Sequence, residues 1–177
     1  MIDIKRISKN TPMTILYIHG LDGSLNNEKR AVLENYGLVL APSIDYRSNK
    51  NSIDYLVEKF KDKNIDIVMG SSMGGFAGLH VSNALQTPAL LFNPALASRS
   101  VEQHEPELKN ISMGFKQLVL GGKDDVVFAK DTLRFLSENF ETLSNFTLHS
   151  RYNLAHRIPI EVFEEEVELF FTQKDHF

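Results

Sequence analysis

A glycine-rich turn between an apolar run and a helix-like stretch sets strong limits on the fold of this chain. The turn reads Gly70-Ser71-Ser72-Met73-Gly74-Gly75 and directly follows the apolar run over residues 65–69. A Gly-x-Ser-x-Gly turn from a buried strand into a helix is typical of a nucleophile elbow, which lifts the serine above the edge of a sheet on a strained backbone. The alternative is an ordinary Gly/Ser turn whose glycines let the next helix pack closely.

Short apolar runs alternate with longer amphipathic stretches, which indicates an α/β protein with a mainly parallel sheet and helices on both faces. The apolar runs predict strands over residues 13–18, 38–41, 65–69, 88–92, 115–120 and 146–149. The stretches between them predict helices over about 27–36, 53–61, 73–85, 129–140 and 160–172. Ser52 is a candidate cap for the second helix. No repeat or linker divides the chain, so we expect one domain over residues 1–177.

The regular pattern is lost between about residues 93 and 114, a segment with two prolines. Irregular stretches of this length are uncommon in compact domains and are often functional loops. We expect this segment to line the site as a candidate lid. Phe92, Leu96 and Met113 would then offer apolar surface to a substrate.

Composition excludes several classes of function. The chain has no cysteine, which rules out disulfides, thiolate catalysis and cysteine-ligated metal sites. Its formal net charge of −4 does not indicate binding to nucleic acid or to an anionic membrane, which attract basic surfaces. No apolar run approaches the ~20 residues needed to span a bilayer, and the charged start over residues 1–6 lacks the features of a secretory signal. We therefore expect a cytoplasmic protein without membrane insertion.

The loop after the first predicted strand begins His19-Gly20-Leu21. In sheets with a nucleophile elbow this loop supplies one backbone N–H to the oxyanion hole, and the residue after the nucleophile supplies the other. We therefore predict the N–H groups of Leu21 and Met73 as the two donors. For the His19 side chain we expect a structural role, because a packed, hydrogen-bonded histidine is commoner than a second base.

The ends of later strands supply a candidate acid and a candidate base. Asp124 and Asp125 both follow the fifth predicted strand, and Asp124 is favoured because it is nearer to that strand. The alternative is that both are solvated turn residues. Among six histidines, His156 alone combines a loop between the last strand and the last helix with a late chain position. The order Ser72, Asp124, His156 is the order of the α/β-hydrolase fold.

At this point the sequence resembles a known family, the small bacterial YqiA-like esterases, which are α/β-hydrolases with little or no cap domain. The resembling pieces are Tyr17-Ile18-His19-Gly20, Gly70-Ser71-Ser72-Met73-Gly74-Gly75, Phe92-Asn93-Pro94-Ala95, Asp124-Asp125-Val126 and the late His156. The resemblance implies esterase or thioesterase activity on small acyl substrates. It also supports Ser72, Asp124 and His156 at their matching positions.

The sequence therefore predicts a serine hydrolase that cleaves small carboxylic esters or thioesters through an acyl-enzyme intermediate. Such a reaction needs neither a metal nor an organic cofactor, and its partner is a small-molecule substrate. Two alternatives remain open. An amidase or peptidase would use the same triad and differ in leaving-group preference. A non-catalytic binding protein could keep the same fold, and would leave Ser72 unreactive toward serine-directed probes.

Overall fold

Six parallel strands, counted over the residues that the structure describes, form the centre of the molecule. The computed structural model describes residues 12–106, 114–140 and 145–173. Within these ranges the strands are β1 (Met13–Ile18), β2 (Gly37–Leu40), β3 (Ile67–Ser71), β4 (Ala89–Phe92), β5 (Lys116–Gly121) and β6 (Phe146–Arg151). They form one sheet in the order β2-β1-β3-β4-β5-β6, and every neighbouring pair is parallel. The predicted α/β fold with a parallel sheet is confirmed.

In the described parts of the chain, five helices cover the two faces of the sheet. They are α1 (Asn27–Glu34), α2 (Ser52–Phe60), α3 (Met73–Leu85), α4 (Ala129–Glu138) and α5 (Ile160–Gln173). Successive residues of one strand point to opposite faces of the sheet and so belong to different hydrophobic clusters. Leu16 packs in a cluster with residues of α2 and α3, whereas Ile15 packs with residues of α1 and α5. Because both faces are covered, the central strands β1, β3 and β4 read as nearly continuous apolar runs.

Two local predictions need correction. The third strand was expected over residues 65–69, but β3 runs from Ile67 to Ser71 and so carries the chain directly into the elbow. Ser52 was expected to cap α2, but it is the first helical residue and its hydroxyl donates to the carbonyl of Asn49 at 2.7 Å. Asn51 occupies the cap position without a side-chain cap bond.

The irregular segment predicted over about 93–114 is described as far as residue 106 and again from 114. Residues 93–106 contain neither helix nor strand. Part of this segment is tied to the β2–α2 connection, because the Gln103 amide donates to the carbonyl of Tyr46 at 2.8 Å. The lid role stays a prediction. Met113 and the charged N-terminal segment lie outside the described residues.

Parallel strands bring all their carboxyl ends to one edge of the sheet, and ligands bind at that edge in open α/β folds. The connections that follow β1, β3, β4, β5 and β6 meet there, so the candidate residues on these loops are neighbours in space. No helix in the described ranges has the length and apolarity to cross a membrane. The same ranges contain no cluster of three or more acidic or histidine side chains that could hold a metal ion.

Candidate active site

The turn between β3 and α3 has the strained geometry of a nucleophile elbow. Ser72 has φ 56° and ψ −120°, a backbone conformation that side-chain-bearing residues rarely adopt. A Cβ added to Gly70 would overlap the carbonyl oxygen of Gly74, and one added to Gly74 would overlap that of Ile18. The glycines two before and two after Ser72 are therefore required by close backbone approach. Ser72 caps α3, so the positive end of that helix faces the serine.

Asp124 lies in the connection after β5 and its side chain is fully buried. Its Oδ1 accepts hydrogen bonds from the backbone N–H groups of Val126 at 2.9 Å and Val127 at 2.8 Å. Its Oδ2 lies 2.9 Å from Nδ1 of His156. Asp125, the competing candidate, is exposed to solvent. The structure therefore brings Asp124, rather than Asp125, against the candidate base.

His156 follows β6 and is half-buried, with a side chain that is 25% exposed. Its Nδ1 faces the Asp124 carboxylate, which accepts hydrogen bonds only, so Nδ1 carries the proton when the ring is neutral. Nε2 is then left as an acceptor. This is the tautomer that a general base needs in order to take a proton from a hydroxyl.

A pocket of about 180 Å³ opens beside Ser72 at the same sheet edge. Leu21 and Met73, the predicted oxyanion donors, both line it. Met73 is the first residue of α3, and a backbone N–H in the first turn of a helix has no acceptor within the helix. The full lining consists of Leu21, Ser72, Met73, Ala95, Ser98, Arg99, Ser100, Val126 and Val127.

His19 shapes the loop that carries Leu21. Its Nε2 accepts from the backbone N–H of Ile44 at 2.9 Å, and its Nδ1 lies 2.6 Å from the carbonyl oxygen of Gly20. The hydroxyl of Tyr46 donates to the His19 carbonyl at 3.0 Å. Both ring nitrogens are thus engaged by the backbone, which is the structural role expected for this residue.

A family model described as an uncharacterised protein family, UPF0227, matches residues 14–110. The chain belongs to this family, the YqiA-like family. The matched region contains the elbow and ends before Asp124 and His156, so membership alone does not assign the acid or the base. Among curated proteins, none matches the sequence.

Solved structures similar to this chain are α/β-hydrolases. Est1E from Butyrivibrio proteoclasticus is 14% identical with a TM-score of 0.69, over 96% of this chain and 91% of that one. An alpha/beta hydrolase enzyme from a sediment metagenome of the lagoon of Mar Chica, Morocco, is 17% identical with a TM-score of 0.67, over 93% and 91%. The Bacillus cereus carboxylesterase is 15% identical with a TM-score of 0.61, over 92% and 88%. At such identities the likeness establishes the α/β-hydrolase fold.

The pocket lining differs from the sequence prediction. Phe92 and Leu96, expected to offer apolar surface to a substrate, are 0% and 1% exposed and belong to the core. Phe92 stacks on Phe163 of α5, which draws its ring to the opposite side of the sheet from α3. Neither residue lines the pocket, and Met113 lies outside the described residues. An apolar residue at or just after the end of a strand, as read from the sequence, can occupy either a core position or a pocket wall.

Two residues near the site had no role assigned from the sequence. Arg99 lines the pocket, and its guanidinium stacks on Phe76 of α3 and pairs with Glu105. Asn93, part of the Asn-Pro-Ala piece, is buried and has φ 39°. A polar residue directly after a buried strand was the available signal for Asn93, but its partners are distant in sequence.

Proposed function

We propose that this chain is a serine hydrolase that cleaves small carboxylic esters or thioesters. The observation that carries the proposal is a serine on a strained elbow at a helix N-terminus, at the same sheet edge as a histidine bound to a buried aspartate. In this assignment Ser72 is the nucleophile, His156 the general base and Asp124 the residue that orients the base. The Bacillus cereus carboxylesterase lends support, because its name associates this fold with ester hydrolysis.

The reaction would proceed in two halves. His156 Nε2 takes the proton of the Ser72 hydroxyl as its oxygen attacks the substrate carbonyl carbon. The N–H groups of Leu21 and Met73 donate to the oxyanion that forms. His156 then returns the proton to the leaving alcohol or thiol, and an acyl-serine remains. A water molecule, deprotonated by His156, attacks the acyl-serine, and the carboxylic acid departs as Ser72 regains its proton.

The size of the pocket favours a short acyl group. Its volume of about 180 Å³ is well below the roughly 300–1,000 Å³ of clefts that hold drug-sized ligands. Its walls mix apolar side chains with the hydroxyls of Ser98 and Ser100. We therefore expect acetyl and propionyl esters to be cleaved with a higher kcat/KM than esters of long fatty acids.

The first test is covalent labelling of the nucleophile. Wild-type protein, Ser72→Ala and the matched control Ser71→Ala are incubated with a fluorophosphonate, and intact mass is recorded. We expect one adduct on wild type and on Ser71→Ala, and none on Ser72→Ala. Ser71 is the neighbouring residue and ends β3, so this control separates an activated serine from general reactivity of the turn.

The second test separates the classes of substrate. The oxygen ester, thioester and anilide of one acyl group are compared by kcat/KM. Cleavage of the esters with little cleavage of the anilide supports the proposal, whereas preference for the anilide would make the protein an amidase. A folded wild-type protein that neither labels nor turns over any of the three would instead favour a binding protein on the same fold.

A further inference from the structure

The chain segment after β4 contacts the nucleophile elbow through its backbone. The N–H of Ser72 donates to the carbonyl of Phe92 at 3.0 Å, and the N–H of Ala95 donates to the carbonyl of Ser72 at 3.1 Å. A Cβ added to Gly75 would approach Pro94 to 2.9 Å, so the segment also packs closely on the start of α3. The position of Ser72 is therefore fixed relative to residues 92–95.

The side chain of Asn93 joins the same segment to the strand end and the loop that carry the acid and the base. Its Oδ1 accepts from the backbone N–H of Gly121, the last residue of β5, at 2.7 Å. Its Nδ2 donates to the carbonyl of Ala155 at 3.0 Å and approaches that of His156 at 3.4 Å. One amide thus spans three connections at the carboxyl edge of the sheet.

The chemistry of this position suits an amide better than other side chains of similar size. Asn93 is 1% exposed, so each polar group around it needs a partner within the protein. An amide offers an acceptor toward Gly121 and a donor toward the Ala155 carbonyl, whereas a carboxylate lacks the donor and leucine lacks both. Asn93 also holds a left-handed backbone with φ 39°, which costs free energy that the surrounding contacts must offset.

We propose that Asn93 is a positioning residue that sets the location of His156 relative to Ser72. The proposal rests on the function proposed above, and it assigns to Asn93 no contact with the substrate. The backbone of residues 92–95 holds the nucleophile, and the Asn93 side chain holds the carbonyls on either side of the base. Removal of the side chain breaks the bonds to Gly121 and to the loop around His156, whereas the bonds of Asp124 to the N–H groups of Val126 and Val127 do not involve it.

The test replaces Asn93 by glycine, which accepts a positive φ without strain and removes only the side-chain bonds. Asn64→Gly is the matched control, since Asn64 also has a positive φ of 46° but is exposed and precedes β3 at the opposite edge of the sheet. With p-nitrophenyl acetate, we expect Asn93→Gly to lower kcat by about 100-fold with KM changed less than about threefold. Asn64→Gly should retain wild-type kcat and KM.

A double mutant separates positioning from general destabilisation. In a His156→Ala background there is no base to position, so adding Asn93→Gly should change the residual rate by less than about twofold. A merely structural role would lower the rate in both backgrounds by similar factors. That additive result, or an Asn93→Gly variant with wild-type kcat, would overturn the proposal.

A readout without turnover keeps the proposal independent of the assigned activity. A proton held between Nδ1 of His156 and Asp124 gives a strongly deshielded NMR signal, and hydrogen exchange at the Gly121 amide reports its bond to Asn93. We expect Asn93→Gly to weaken that signal and to speed that exchange, and Asn64→Gly to change neither. If wild type shows no esterase activity but these two changes occur, the proposed function fails while Asn93 still holds the loop. If neither changes, the positioning role fails.

If Asn93→Gly does not fold, Asn93→Asp serves in its place. It keeps an oxygen toward Gly121 and sets a second oxygen against the carbonyl of Ala155, which repels the loop. The same fall in kcat and the same loss of the deshielded signal are expected. A folded Asn93→Asp protein with wild-type kcat would contradict the proposal.

Discussion

Among the described residues, two histidines pair with a fully buried carboxylate, and the two pairs differ in what surrounds them. At the carboxyl edge, Nδ1 of His156 lies 2.9 Å from Asp124. On the edge strand β6, Nδ1 of His149 lies 2.6 Å from Glu166 on α5. Both carboxylate side chains are fully buried, and both imidazoles are partly exposed. Pairing and burial therefore do not distinguish the candidate site from a structural contact.

The partners of the two carboxylates do distinguish them. Glu166 also receives hydrogen bonds from the side chains of Gln117 and Arg151, so its charge is compensated by a permanent cation. Asp124 receives, besides His156, two bonds from backbone N–H groups. Its charge is thus available to stabilise an imidazolium that forms during a reaction, whereas Glu166 anchors α5 to the sheet. Under the proposed function, the acid is therefore the carboxylate without a cationic side-chain partner.

Replacing each histidine by alanine should give the largest difference between the two pairs. Under the proposed function, His156→Ala should lower kcat for an ester substrate by roughly 10⁴- to 10⁶-fold, because Ser72 then lacks its general base. His149→Ala should change kcat by less than about threefold, because its pair lies away from the nucleophile. Steady-state kinetics on both variants, with folding checked by circular dichroism, provides the measurement. Equal losses in the two variants would show that the distinction drawn between the pairs is wrong.

A subtler change turns each carboxylate into its amide. In Asp124→Asn the N–H groups of Val126 and Val127 hold the amide oxygen at the Oδ1 position, so the amide nitrogen faces Nδ1 of His156. That arrangement forces the proton onto Nε2, and kcat should fall by about 10⁴-fold. The matched change Glu166→Gln should leave kcat nearly unchanged.

Glu166→Gln, which should leave kcat nearly unchanged, should instead lower the stability of the protein. Glu166→Gln places an amide nitrogen against the donors of either Arg151 or Gln117, which should lower the free energy of unfolding by about 2 kcal/mol. Urea denaturation monitored by circular dichroism checks this value. A Glu166→Gln protein that is as stable as wild type would remove the structural role from the second pair.

A third histidine sharpens the comparison, because burial rather than a carboxylate dominates its environment. His80 on α3 is 5% exposed, and its burial, with Arg99 nearby, lowers its pKa to about 4. The unfolded chain, with a histidine pKa near 6.5, therefore binds the proton more tightly, and stability is lost as pH falls from about 6.5 to 4. Between pH 6.5 and 4, the free energy of unfolding of the wild type should fall by roughly 3 kcal/mol relative to that of His80→Leu.

Urea denaturation of both proteins at several pH values between 7.5 and 4.5 provides the test of His80. Near pH 7.5 the difference between the two proteins should be constant, because the histidine is neutral in both the folded and the unfolded states. Parallel stability curves through the acidic range would show that His80 titrates in the folded protein as it does in the unfolded chain.

Most of the fold followed from local patterns in the sequence. The central strands β1, β3 and β4 are mostly apolar on both faces, and all six predicted strands agree in position with the structure to within about two residues. The candidate triad followed from the same logic, since residues at the carboxyl ends of parallel strands meet at one edge. Hydrogen bonding between Asp124 and His156 was therefore expected from chain position alone.

The parts that sequence reasoning missed depend on contacts between distant segments. The ring of Phe92 packs on α5 rather than in the pocket, and nothing in its neighbouring residues determines that side. The role of Asn93 depends on carbonyls about 60 residues later in the chain, at separations of 62 and 63. Local periodicity carries no information on such pairings.

In the loop after β5, the groups that hold Asp124 are distinct from the groups that line the pocket. Asp124 is held by the main-chain N–H groups of residues 126 and 127, while the valine side chains at those positions line the pocket. Any residue except proline supplies the same N–H group. Under the proposed function, the wall of the pocket can therefore be rebuilt at positions 126 and 127 to admit a different acyl group, while the backbone hydrogen bonds to Asp124 stay intact.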